Sequence, residues 1–139
     1  MRITSKGRYG LKAMMELART GDDETLLKTR EIAENQSIPL KYLEQIINIL
    51  KKHNLVTSVR GSDGGYRLAR TAAEITVYEI LNALEGDLSV VDKDDPSWGH
   101  EQGVFWQDLE NRIRRILEVP LSDFTEANRE AEQGLMYYI

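Results

Sequence analysis

Apolar and polar positions alternate along the chain with changing periods, and the periods predict a run of short helices, a hairpin and a longer helix. Leu11, Met14, Met15 and Ala18 fall on one stripe of a helix over residues 8–19, ended by Gly21-Asp22-Asp23. A second short helix spans 29–35, with Ile32 and Ala33 inward. The turn Gln36-Ser37-Ile38-Pro39 follows, and Pro39 suits the first position of a third helix running to about Lys52. That helix carries Leu43, Ile46, Ile47 and Leu50 on one face. Residues 54–59 read as a strand, Gly61-Ser62-Asp63-Gly64-Gly65 as a hairpin tip, and Tyr66-Arg67-Leu68 as the returning strand.

Beyond the hairpin, Thr76 and Glu79 are spaced as a capping box. They open a fourth helix with Ile80, Leu81 and Leu84, closed by Gly86. Residues 87–100 are a polar, acidic loop, and a long helix over about 101–118 aligns Phe105, Leu109, Ile113 and Ile116. Pro120 restarts a shorter helix to about Glu132, and after Gly134 the chain closes on Met136-Tyr137-Tyr138-Ile139. The expected fold is mainly α with a small β-hairpin wing: a winged helix-turn-helix over 1–86, a loop over 87–100, and a dimerisation helix with C-terminal helix and tail over 101–139. The row on the long helix is too apolar for solvent, so a two-fold dimer through it is expected.

Charge changes the picture. The net charge of −5 hides an asymmetry, because residues 1–70 carry 13 Lys/Arg against 8 Asp/Glu and residues 71–139 carry 5 against 15. A basic first half points to a polyanionic partner, double-stranded DNA being the one a helix-turn-helix takes. The third helix shows Lys41, Glu44, Gln45, Asn48 and Lys52 opposite its apolar face. Glu can accept from cytosine N4, and Gln or Asn can pair with adenine. An ordinary solvated face is the competing reading of that helix. At the hairpin, Arg60 precedes glycines that permit close backbone approach, and an arginine there suits a narrow minor groove. Arg2, Ser5, Lys6, Arg8 and Tyr9 offer phosphate contacts near the start.

Other chemistry is thin. Cysteine is absent, which removes disulfides, thiol nucleophiles and thiolate-held clusters. No Ser/His/Asp arrangement, phosphate loop or metal motif occurs, and the two histidines, His53 and His100, stand apart; an enzyme is not expected. No apolar run approaches the roughly 20 residues of a membrane span, and the opening residues lack a signal-peptide stretch, so a cytoplasmic protein with no membrane partner is expected.

Several stretches agree in order with one family. Arg2-Ile3-Thr4-Ser5-Lys6-Gly7-Arg8-Tyr9-Gly10, Ile32-Ala33-Glu34, Tyr42-Leu43-Glu44-Gln45, Val59 through Tyr66 and Ile80 through Gly86 resemble the IscR/NsrR/CymR family of winged-helix bacterial transcriptional repressors. The resemblance implies a homodimer crossing through the long helix. It also implies major-groove reading by Glu44 and its neighbours, with Tyr42 in the matching motif, and Arg60 in the minor groove with Gly64 and Gly65 at the tip. Lys41 departs from the small hydroxyl residue common there, which leaves the operator sequence open.

Many members hold an iron–sulfur cluster through three cysteines in the segment matching 87–103. This chain has Asp92, Asp94, Asp95 and His100 there, so no cofactor of that kind is expected, and the acid spacing does not match a calcium loop. Within the family the chain resembles the cysteine-free CymR group, whose members repress sulfur and cysteine metabolism genes and are bound by cysteine synthase. The resemblance extends to Tyr137, Tyr138 and Ile139, a terminal carboxylate beside an apolar side chain that can imitate an amino-acid substrate. Two alternatives stand beside it. The tail can instead anchor the dimer, and a small effector can bind directly near 87–106, where Trp98, Phe105 and Trp106 are either pocket walls or dimer core.

Overall fold

The structure, a computed structural model, describes residues 1–19, 25–92, 94–95 and 100–125. Among the described residues five helices of eight residues or more and two strands follow one another in the expected order: α1 (Ser5–Arg19), α2 (Thr29–Gln36), α3 (Leu40–Lys52), β1 (Val56–Val59), β2 (Gly65–Leu68), α4 (Val77–Glu85) and α5 (His100–Leu117). β1 and β2 are antiparallel, with Val56 opposite Leu68 and Val59 opposite Gly65. Leu27 extends the hairpin by one bridge, exchanging hydrogen bonds with Tyr66 at 3.0 and 2.8 Å. The fold is mainly helical with a β-hairpin wing.

Local chemistry explains the boundaries. Ser37 takes the left-handed conformation (φ 54°, ψ 48°) and its N–H reaches the Ala33 carbonyl, turning the chain between α2 and α3. Pro39 sits one position earlier than its sequence context indicates: it flanks α3 rather than opening it, and its carbonyl accepts from the Leu43 N–H. Asn54, expected in the strand, closes α3 instead. Its φ is 58°, its N–H bonds the Lys51 carbonyl, and the Leu55 N–H bonds the Leu50 carbonyl. Those two bonds form a Schellman closure, for which Asn is among the few side chains suited, so β1 begins only at Val56. The Thr76–Glu79 capping box forms in full, and Gly86 ends α4 at φ 80°.

The core is built from α1, α3 and α4 with Leu55, Val56 and Ile75. Leu43, Ile46, Ile47 and Leu50 of α3 are all buried, as are Ile32 and Ala33 of α2. On α1 the buried face is Gly7, Gly10, Ala13, Met14 and Leu17. The stripe Leu11–Met14–Met15–Ala18 is therefore rotated: Leu11, Met15 and Ala18 are half-buried at the margin of the core. The cause is α4, which presses close to α1; a Cβ at Gly10 would overlap the Leu84 side chain. Hydropathy patterns give glycine little weight, although here it marks the interface.

The chain after α5 returns to the winged part. Val77 N–H bonds Val119 O at 3.0 Å, Leu121 N–H bonds Ile75 O at 2.7 Å, and Leu121 lies wholly inside the core cluster. Burying one such side chain contributes about 1.5–3 kcal/mol. Residues 121–125 are helical, and the remainder of the helix expected to reach Glu132 lies outside the described residues. Among the described residues no helix is long and apolar enough to cross a membrane.

Candidate nucleic-acid interface

The polar face of α3 stands clear of the core. Lys41, Glu44, Gln45, Asn48 and Lys52 are all exposed, while the opposite face is held by fully buried aliphatic side chains. The helix therefore offers five reaching side chains on a backbone fixed by packing. Tyr42 is half-buried at its flank, edge-on to Tyr9 of α1 with ring centroids 5.7 Å apart, and its hydroxyl shares a 3.3 Å hydrogen bond with that of Ser5. Tyr9, Tyr42 and Ser5 thus join α1 to α3.

The start of α1 brings basic groups to the same structure. Arg2 and Arg8 are exposed and Lys6 is half-buried. No acidic residue of α1 lies in its first turn. The acid comes from the end of α4: Glu85 Oε1 accepts from the Thr4 N–H at 2.8 Å, the Thr4 hydroxyl at 2.8 Å and the Gly7 N–H at 2.9 Å. Burial pushes this carboxyl up, but the bonds from Thr4 and Gly7, with the charge of Lys6, outweigh burial and hold it below its ordinary value. Its position beside Gly86 marks it in sequence only as a helix end.

At the wing, Arg60 is exposed and Gly61 takes φ 119° with open space where a Cβ would stand. Gly64 and Gly65 each have a structural reason to lack a side chain. A Cβ on Gly64 would overlap the Val59 carbonyl, and one on Gly65 would come within 2.8 Å of the Leu27 carbonyl. Their missing side chains are spent on closing the hairpin and seating Leu27 against it. Lys28, a residue the sequence pattern did not single out, ties the tip to α2 by donating to the Ser62 carbonyl at 3.1 Å.

On α5, Phe105 is 59% and Ile116 72% exposed, joined by Val104 at 70%, while Leu109 and Ile113 are half-buried. Phe105 and Trp106 meet edge-on at 4.9 Å. A cavity of about 480 Å³ lies between α5 and residues 87–90, lined by Tyr78, Asp87, Ser89, Glu110, Asn111 and Arg114 among others. Phe105 and Trp106 are not in its wall, and Trp98 falls outside the described residues, as do Tyr137, Tyr138 and Ile139.

Comparison with known proteins places this arrangement. The sequence model of the Rrf2 family, described as iron-dependent transcriptional regulators, matches residues 3–127. The chain belongs to the Rrf2 family. This Rrf2 protein is 38% identical over 123 residues to the HTH-type transcriptional regulator IscR of Photorhabdus laumondii, covering 84% of this chain and 74% of that one. It is 33% identical to the HTH-type transcriptional regulator CymR of Bacillus subtilis, with both chains covered in full. The solved structure of B. subtilis CymR, described as the global cysteine regulator, superposes with a TM-score of 0.81 at 32% identity, over 91% of this chain and 98% of that one.

The family description implies iron, and the donor set here does not fit an iron–sulfur cluster held by cysteines. The chain has no cysteine, and Asp92, Asp94, Asp95 and His100 over 87–103 offer carboxylate oxygens and one imidazole but no thiolate. Among the described residues no three His, Asp or Glu side chains converge as a metal site.

Proposed function

We propose that this Rrf2 regulator is a cytoplasmic, homodimeric DNA-binding repressor and not an enzyme. The observation that carries the reading is the exposed Lys41–Glu44–Gln45–Asn48–Lys52 face of α3, set on a buried aliphatic face, in a chain whose wing also exposes Arg60. In this reading α3 enters the major groove, with Glu44, Gln45 and Asn48 on base edges. Arg60 enters the minor groove with the glycine tip around it. Arg2, Ser5, Lys6 and Arg8 meet phosphates, and Lys41, Lys52, Tyr9 and Tyr42 support the register. A second copy covers Phe105, Leu109, Ile113 and Ile116. A gel shift on the DNA upstream of its own gene tests the reading: a saturable, competitor-resistant shift is expected, and indifference to sequence overturns it.

The regulated genes are those of sulfur and cysteine metabolism, and the effector is cysteine synthase, whose active site takes the Tyr137-Tyr138-Ile139 tail. The similarity to CymR supports this finer assignment. Calorimetric titration of the chain into cysteine synthase, with and without Ile139, tests it: binding that requires Ile139 is expected. The second reading, a small effector bound directly, is favoured by the 480 Å³ cavity beside residues 87–90. Effector-dependent DNA release in the absence of any enzyme would select it.

A further inference from the structure

α1 begins with an unbalanced positive end. Its first turn holds Lys6 and Arg8 and no acid, and the helix N-terminus adds its own partial positive charge. The residue before a helix commonly uses its side-chain oxygen to accept from the N–H at the third helical position. Thr4 does not do so. Its hydroxyl donates to Glu85, and Glu85 accepts from Gly7, the third residue of α1. A carboxylate 78 to 81 residues downstream therefore caps the helix, with one oxygen receiving three hydrogen bonds. Gly7 is shaped to this contact, since a Cβ there would stand 2.5 Å from the Glu85 oxygen. The same turn is tied to α3 through the Ser5–Tyr42 hydroxyl pair.

We infer that Glu85 is a positioning residue for DNA binding: from the end of α4 it caps α1 and holds Arg2, Lys6 and Arg8 where they meet the phosphate backbone. The inference rests on the repressor reading above. Glu85 itself repels phosphate, and that gives the role an unusual signature. Removing its charge makes the protein less acidic, and electrostatics alone then strengthens DNA binding. Loss of a positioning group weakens it instead.

The test uses the full-length chain and a duplex carrying the DNA upstream of its own gene, titrated over a range of salt concentrations. Glu85→Ala is expected to weaken binding about tenfold and to flatten the dependence of log affinity on log salt by one to two units, on the order of one or two phosphate contacts. Glu85→Gln keeps a neutral acceptor for Thr4 and Gly7 and is expected to fall between Ala and the wild type. Gly7→Ala, which displaces the carboxylate from the other side, is expected to reproduce the Glu85→Ala effect, with little further loss in the double variant. Tighter binding by Glu85→Ala, or a lowered melting temperature with affinity and salt slope unchanged, overturns the positioning role while leaving the repressor intact. Failure of the wild type to bind the duplex overturns the repressor reading, and this role with it.

Discussion

Glu44 and Arg60 are both exposed and charged, yet they have different expected effects, one on base preference and one on affinity. Glu44→Ala removes a base-edge acceptor, so the preferred bases should change, with discrimination reduced by about 1–3 kcal/mol at the positions it reads. Competition binding against a randomised operator measures this, and an unaltered preference would place Glu44 on the solvent side. Arg60→Ala should lower affinity across sequences with a narrow minor groove by about 1–3 kcal/mol. Glu85 adds a pH dependence of stability. Its carboxyl is held below its ordinary value of 4.5 in the folded chain. Its contribution is therefore present above that value and is lost as pH falls through the lowered folded value. In thermal melts, the gap between wild type and Glu85→Gln should be widest above pH 4.5 and close on further acidification.

The elements owe their placement to a few contacts that each join two of them. α1 and α4 meet through small residues, so adding one methyl group at Gly10 forces Leu84 aside. Gly10→Ala should destabilise the fold by about 1–3 kcal/mol through overpacking, despite alanine's better helix propensity. Urea unfolding decides it, since a stabilised variant would mean that α4 yields. The capping box of α4 gives a second check: Thr76→Ala removes the acceptor for the Glu79 N–H and should cost about 0.5–2 kcal/mol. α3 and the wing are linked in turn by the Schellman closure at Asn54, which turns the chain from α3 into β1.

At the scale of the whole molecule, the single chain leaves α5 incompletely covered. Val104, Phe105 and Ile116 are exposed apolar side chains on one helix, and their burial against a second copy is the expected remedy. A helix-turn-helix dimer then presents two recognition helices about 34 Å apart, one turn of DNA. Sedimentation equilibrium should show a dimer at micromolar concentration, and Phe105→Asp combined with Ile116→Asp should yield a folded monomer that binds DNA weakly. A wild-type monomer would rule the arrangement out. Residues 119–125 attach the end of α5 to the winged part, through Leu121 in the core and the Val77–Val119 hydrogen bond.

Sequence alone determined the order and kind of the elements, because periodicity, the Thr76–Glu79 cap and the glycine-rich tip are short-range signals written within a few residues of where they act. It also determined the exposed face of α3, which is the complement of a strongly apolar stripe. The absence of thiolate ligands followed from composition. Tertiary structure decided what depends on distant partners. The buried side of α1 is set by how closely α4 approaches Gly7 and Gly10, which no local pattern encodes. The close approach of the Val59 and Leu27 backbone, which requires glycine at 64 and 65, is set by how the hairpin closes. Glu85 acquires its role only because folding brings the end of α4 against the start of α1, turning an ordinary helix-terminal carboxylate into the cap of another helix.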